Sequence, residues 1–65
     1  MISQTSEYAL RAVVCLAQSS KKPHTTAEIA RLTKVPEHYL SKVLLMLAKH
    51  EVVYSKKGLH GGYML

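Results

Sequence analysis

Tryptophan and phenylalanine are missing from this chain, and cysteine occurs once, at Cys15. A lone thiol closes no internal disulfide, so the fold takes nothing from cross-links and the composition suits a reducing, cytoplasmic compartment. Without the two largest aromatics, a core has to be built from Leu, Val, Ile and Ala, with four Tyr as its only rings. No apolar run approaches the ~20 residues that span a bilayer. The start, Met1 to Glu7, lacks the basic and apolar regions of a signal peptide. A soluble protein with no membrane partner is expected.

Acidic residues are also scarce. Four stand against nine Lys and Arg, leaving a formal charge of +5. That balance favours anionic partners, nucleic acid first and anionic membrane second. Sixty-five residues make one small domain; a chain this short buries only ~60% of the surface it exposes when unfolded. The 48% hydrophobic content still argues for a packed fold rather than disorder.

Thr5 to Ser19 reads as a first helix. Ala9, Ala12, Val13, Leu16 and Ala17 fall on one face, Leu10 and Val14 widen it on one side, and Tyr8 and Cys15 on the other. The polar stripe is only Glu7, Arg11 and Gln18, with Glu7 and Arg11 at the favourable i,i+4 spacing. So apolar a helix wants more cover than two short helices provide, which implies a further partner surface.

Ser19 to His24 is a loop by composition. Thr25-Thr26-Ala27-Glu28 has the capping-box pattern, Thr25 as N-cap and Glu28 three residues on, and opens a short helix to about Leu32 with Ile29 and Leu32 inward. Thr33-Lys34-Val35 is a tight connection. Pro36 suits the first turn of a new helix, where its missing N–H is not needed. That third helix runs from about Pro36 to His50, with Leu40, Val43, Leu44 and Leu47 at core spacing and Tyr39 and Met46 beside them. His38, Lys42 and Lys49 form an outward stripe flanked by Glu37 and Ser41. Val52 to Ser55 has strand character, Lys56-Lys57 are basic, Gly58 to Gly62 is a glycine-rich turn, and Tyr63 to Leu65 would return as the second strand of a hairpin. Ending on apolar residues in mid-strand, the sequence is expected to be a piece of a longer chain whose residues 1–65 are one domain.

Helix, capped short helix, tight turn, amphipathic helix and basic hairpin together describe a mainly α fold with a small β-hairpin, the winged helix-turn-helix. The expected function is sequence-specific binding of double-stranded DNA in transcription regulation. A major groove admits one helix, whose first turns aim side chains at base edges. Lysines neutralise phosphates, and glycine lets a wing approach closely. The candidate reading surface is Pro36, Glu37, His38, Tyr39, Ser41 and Lys42. Glu37 can accept from a cytosine amino group, and Lys42 can donate to guanine. Candidate wing and phosphate contacts are Lys56, Lys57, His60 and Gly61, with Thr25 and Thr26 at a helix start offering N–H groups to a phosphate. A protein-docking module of the same architecture is the other reading; strong salt dependence of duplex binding separates the two. Membrane binding through the first helix is disfavoured by its narrow, weakly cationic polar stripe.

Four runs, Tyr8 to Ala12, Thr26 to Ala30, Val35 to Leu44 and Gly58 to Tyr63, resemble in order and spacing the Rrf-two family of bacterial regulators. The resemblance implies a dimeric repressor or activator on pseudo-palindromic operators, with Glu37 to Lys42 in the major groove and Lys57 to Gly62 as the wing. In such regulators the chain continues into a long dimerisation helix and, in many members, a three-cysteine iron–sulfur segment. No cofactor is expected in residues 1–65; a cluster would belong to a longer parent. Two departures from the family pattern are visible. Lys57-Gly58-Leu59-His60 stands where an Arg-Gly-Pro-Gly run is common, and Thr33 or Lys34 must absorb a turn geometry often taken by glycine.

Other chemistry is thin. Cys15 has no Cys-x-x-Cys partner and reads as a packed thiol. His24, His38, His50 and His60 have no zinc-like spacing; His24 and His50 read as surface residues. Glu7 occupies a place where some cluster-sensing relatives carry an acidic ligand, although pairing with Arg11 accounts for it. No nucleophile–base set or phosphate-binding P-loop occurs, and no enzyme is expected.

Overall fold

The computed structural model describes residues 3–18 and 22–65. Its elements are α1 (Gln4–Gln18), α2 (Thr26–Thr33), α3 (Glu37–Lys49), β1 (Tyr54–Lys56) and β2 (Gly62–Met64). The three helices and antiparallel hairpin match the architecture read from the sequence. Helix α1 begins one residue earlier than expected because Ser3 caps it: its hydroxyl accepts from the Ser6 N–H (3.1 Å) and its carbonyl from the Glu7 N–H (2.9 Å). The expected end at Ser19 and the first half of the expected Ser19–His24 loop, 19–21, lie outside the described residues.

One core joins the helices. Ala12 and Leu16 of α1 meet Ile29 of α2, Val35 of the turn, Leu40, Val43, Leu44 and Leu47 of α3, and Val53. Tyr8, Ala9, Val13 and Tyr63 pack against its edge. Three expected core positions are corrected. Ala17 is exposed, Leu32 is 57% exposed and Met46 is 40% exposed. In α2 the inward line runs from Ile29 to the half-buried Thr33, whose hydroxyl donates to the Ile29 carbonyl (2.6 Å), so Leu32 is left on the rim. An eight-residue helix offers too few turns for periodicity to choose between i+3 and i+4.

Both ends of the hairpin shift by one or two residues. Pairing is Tyr54 with Met64, Ser55 with Tyr63 and Lys56 with Gly62. Val52, expected in the strand, instead closes α3. The Val52 N–H donates to the Leu47 carbonyl (2.9 Å) and the Glu51 N–H to the Ala48 carbonyl (3.0 Å), with Glu51 left-handed at φ 61°. This is the Schellman arrangement, here without its usual glycine.

His24 is the largest revision. Read as a surface residue, it is only 6% exposed and bridges to Tyr63 of β2. The His24 N–H donates to the Tyr63 carbonyl (2.9 Å), and the Tyr63 N–H returns to the His24 carbonyl (2.7 Å). The loop before α2 thus lends a third, one-residue strand to the wing. A Cβ on Gly62, whose φ is +149°, would collide with the His24 backbone, so glycine is what permits this approach.

Candidate nucleic-acid interface

The helix-turn-helix is set by local chemistry at each end of α2. Thr25 caps the helix: its hydroxyl accepts from the Glu28 N–H (3.1 Å) while the Thr25 N–H donates to the Glu28 carboxylate (3.0 Å). That backbone hydrogen bond is the main reason the Glu28 carboxyl titrates below the usual carboxylate range. The same bond occupies the Thr25 N–H that was expected to be open to a phosphate. Thr26 and Ala27 keep N–H groups without a partner among the described residues. At the other end Lys34 takes the left-handed conformation (φ 61°), its N–H donating to the Ala30 carbonyl (2.8 Å). Of the two residues expected to absorb the turn, Lys34 does so. Val35 then plugs the core at 3% exposure, and Pro36 stands as N-cap of α3 rather than within its first turn.

Because Leu40, Val43, Leu44 and Leu47 hold the inner side of α3, the opposite side is free. Glu37, His38, Lys42, Leu45 and Lys49 are exposed there. Ser41 is half-buried, and its hydroxyl donates to the His38 carbonyl (3.0 Å), which leaves it acceptor capacity toward a ligand. Tyr39 is placed differently from the other candidate readers. Its ring meets that of Tyr8 edge-on, centroids 5.0 Å apart at 88°, and its hydroxyl is hydrogen-bonded to that of Thr5. It therefore fastens α3 to α1. A surface cleft of about 400 Å³ runs along that junction, lined by Thr5, His38, Tyr39, Lys42, Val43 and Met46.

In the hairpin, Lys56, Lys57, Leu59 and His60 are exposed, and Leu59, at 94%, is the most exposed of the large hydrophobic residues described. Gly61 is half-buried, and a Cβ there would run into the Lys56 carbonyl, so the turn closes only around glycine. His24 was missed as the wing's anchor. The tandem Gly61-Gly62 is the signal that could have found it, since glycines where a turn enters a strand mark a close backbone approach. The two ring nitrogens of His24 have no hydrogen-bond partner among the described residues; Nδ1 stands 3.8 Å from Glu28.

Two of the four carboxylates are engaged away from the outer side of α3. Glu7 is held by Arg11 at 2.7 Å, and Glu28 is engaged at the α2 cap. Among the described residues, Lys22, Arg31, Lys34, Lys42, Lys49, Lys56 and Lys57 have no carboxylate within 4.0 Å. Cys15 is half-buried on α1, and burial pushes its thiol pKa up, as expected of a packed thiol. No three His, Cys, Asp or Glu side chains come together as a metal-binding group among the described residues. One thiol is short of the ligand set an iron–sulfur cluster takes, and Glu7 is bonded to Arg11 at the surface.

Comparison with known proteins gives the geometry its relatives. The Rrf2 family model, described as iron-dependent transcriptional regulator, matches residues 2–65. A protein of Aquifex aeolicus named as an HTH-type transcriptional regulator is 42% identical over 65 residues, all of this chain and 45% of the relative. The structure of CymR, the global cysteine regulator of B. subtilis, superposes with a TM-score of 0.92 at 32% identity, covering all of this chain and 51% of CymR. T. potens IscR gives a TM-score of 0.93 at 32% identity, covering all of this chain and 48% of that protein. The chain thus spans about half the length of the relatives it matches. With the family model covering nearly every residue and the winged-helix fold shared throughout, the chain belongs to the Rrf2 family of transcriptional regulators.

Proposed function

We propose that this chain binds double-stranded DNA, with the exposed side of α3 in a major groove and the β1–β2 wing on the flanking backbone. It does so as half of a homodimeric repressor on a pseudo-palindromic operator. The observation that carries the reading is that, among the described residues, the Lys and Arg side chains without a carboxylate within 4.0 Å (Lys22, Arg31, Lys34, Lys42, Lys49, Lys56 and Lys57) belong to the helix-turn-helix, the wing and the loop before α2, whereas the one cation of α1, Arg11, is paired. On this reading Glu37, His38, Ser41 and Lys42 meet base edges, with Pro36 and Tyr39 setting the helix against them. Lys56, Lys57, His60 and Gly61 lie along phosphates with Thr25 and Thr26 nearby. Exposed Leu10, Val14 and Leu32 line an apolar cleft of about 570 Å³ between α1 and α2, a face that supports a further protein contact such as the dimer. No helix among the described residues is long and apolar enough to cross a membrane. A bacterial operator and the lone thiol both suit the cytoplasm.

Selection from a random duplex library, with two copies of the chain tethered and at moderate salt, tests this. Enrichment of a two-fold-related motif at fixed half-site spacing is the expected result. Salt-sensitive binding with no motif would reduce the function to non-specific DNA binding. A folded chain that binds no duplex would move the reading to a protein-docking module.

A further inference from the structure

Among the cations on the outer side of α3 stands a leucine. Leu45 is 63% exposed, more than any other large apolar residue of the three helices. At about 100° per residue it lies about 20° from His38, 40° from Lys49 and 60° from Lys42 around the helix axis, so all four share one face. It does not contribute to the apolar cleft between α1 and α2. Nor does it line the cleft between α1 and α3, where Met46 lies. Neither of these clefts accounts for an apolar side chain there.

We propose that Leu45 reads thymine, its methyl groups packing on the 5-methyl of one thymine in each half-site. The assignment rests on the reading that α3 enters a major groove. The edges presented in that groove are hydrogen-bond donors and acceptors, with one apolar exception, the thymine methyl. A leucine pressed against the cytosine or adenine amino group would bury a donor without a partner, which is unfavourable; against the methyl, both surfaces lose water at no such cost. Leu45 therefore selects in both directions, by attraction to one base and by penalty against others. It sits about 10 Å along the axis of α3 from His38 at 1.5 Å per residue, far enough for the two to meet different base pairs. The thymine should therefore lie at a different base step from the pair met by the start of α3.

Deoxyuridine removes the methyl and nothing else. In the duplex bound by the full chain, each thymidine of the half-site is replaced singly by deoxyuridine and affinity is followed by fluorescence anisotropy. At one position per half-site the unsubstituted chain should lose affinity about fourfold, the value of one buried methyl-sized group. Leu45→Ala should bind the thymine duplex more weakly by a similar factor and be indifferent to the replacement. Leu45→Ser, checked for native helix content, should behave in the same way. Indifference of the unsubstituted chain at every thymidine, a selected half-site without thymine, or a deoxyuridine penalty that persists in Leu45→Ala each overturns the assignment while leaving DNA binding intact. Failure to bind any duplex overturns both.

Discussion

The helix-turn-helix and the wing are held by different physics. Between Ile29 and Leu44, side chains at 0–3% exposure lock α2, the turn and α3 onto α1. In the wing, each strand has three residues and all of β1 is exposed. Its attachments are Val53 in the core, Tyr63 against it, and a pair of backbone hydrogen bonds to His24. A surface that discriminates bases has to hold its side chains to fractions of an ångström, and packing supplies that. A clamp on phosphates, which look alike at every step, gains from compliance instead. The proposed division between reader and clamp is the one that these two ways of fastening would suit.

The largest effect should follow from damage to the packed half. Leu44→Ala removes a fully buried side chain and should destabilise the domain by about 2–5 kcal/mol. For a fold this small that approaches its whole stability. Thermal melts followed by circular dichroism should show helices and wing lost together, because Val53 and Tyr63 rest on the same core. A wing whose amides stayed protected after the helices melted would show that it is held independently.

Gly62→Ala should break the comparison from the other side. The new Cβ meets the His24 backbone in a left-handed conformation, so the bridge has to open at a strain of about 1–3 kcal/mol. Hydrogen exchange should rise at the His24 and Tyr63 amides while helical ellipticity stays near its original value, and duplex affinity should fall. Loss of the helices on the scale of Leu44→Ala would mean that the wing is part of the core.

Two lysines sharpen the contrast at the level of recognition. Lys42→Ala should cost about 1–3 kcal/mol at one base pair and relax preference there. Lys57→Ala should weaken every sequence alike and make the dependence of log affinity on log salt shallower by about 1. Titrations of two duplexes at several salt concentrations separate these outcomes. A Lys57→Ala variant that altered a single base preference would place reading in the wing as well.

The same contrast governs what could be seen in the sequence. The helix-turn-helix was legible because its signals are local. Thr25 and Glu28 are three residues apart, Pro36 marks the next start, and Leu40, Val43, Leu44 and Leu47 repeat at helical spacing. The outward placement of His38 and Lys42 followed from the same periodicity. What was not legible depends on partners distant in the chain. His24 and Tyr63 are brought together only by the fold, so His24 looked like a loop residue. In the sequence Tyr39 stands both beside the core and among the DNA-contact candidates, but its role in fastening α3 to α1 was not visible there, because its partners Thr5 and Tyr8 lie on another helix. Leu32 failed for a different reason: a helix of two turns supports two inward lines equally well, and tertiary packing chose the one through Thr33.

The smallest effect concerns the joint between the two regions. Glu51 is left-handed at φ 61° where α3 hands the chain to the wing, and its carboxylate sits at the negative end of the helix dipole. Conformation and charge both disfavour glutamate here. Glu51→Gly should remove about 1–2 kcal/mol of left-handed strain, offset by about 0.4–1 kcal/mol of extra freedom in the unfolded chain. The net gain of about 0.5–1 kcal/mol should raise the melting temperature by roughly 2–8 °C in a domain this small. Lys34→Gly, at the equivalent strain inside the helix-turn-helix, should stabilise by a similar amount, but it also removes one of the unpaired cations and so should weaken DNA binding. Glu51→Gly removes a negative charge and should leave binding equal or stronger. If Glu51→Gly stabilised the fold and yet weakened binding, the stiffness of the α3–wing joint, rather than the core beneath α3, would be what aligns reader and clamp.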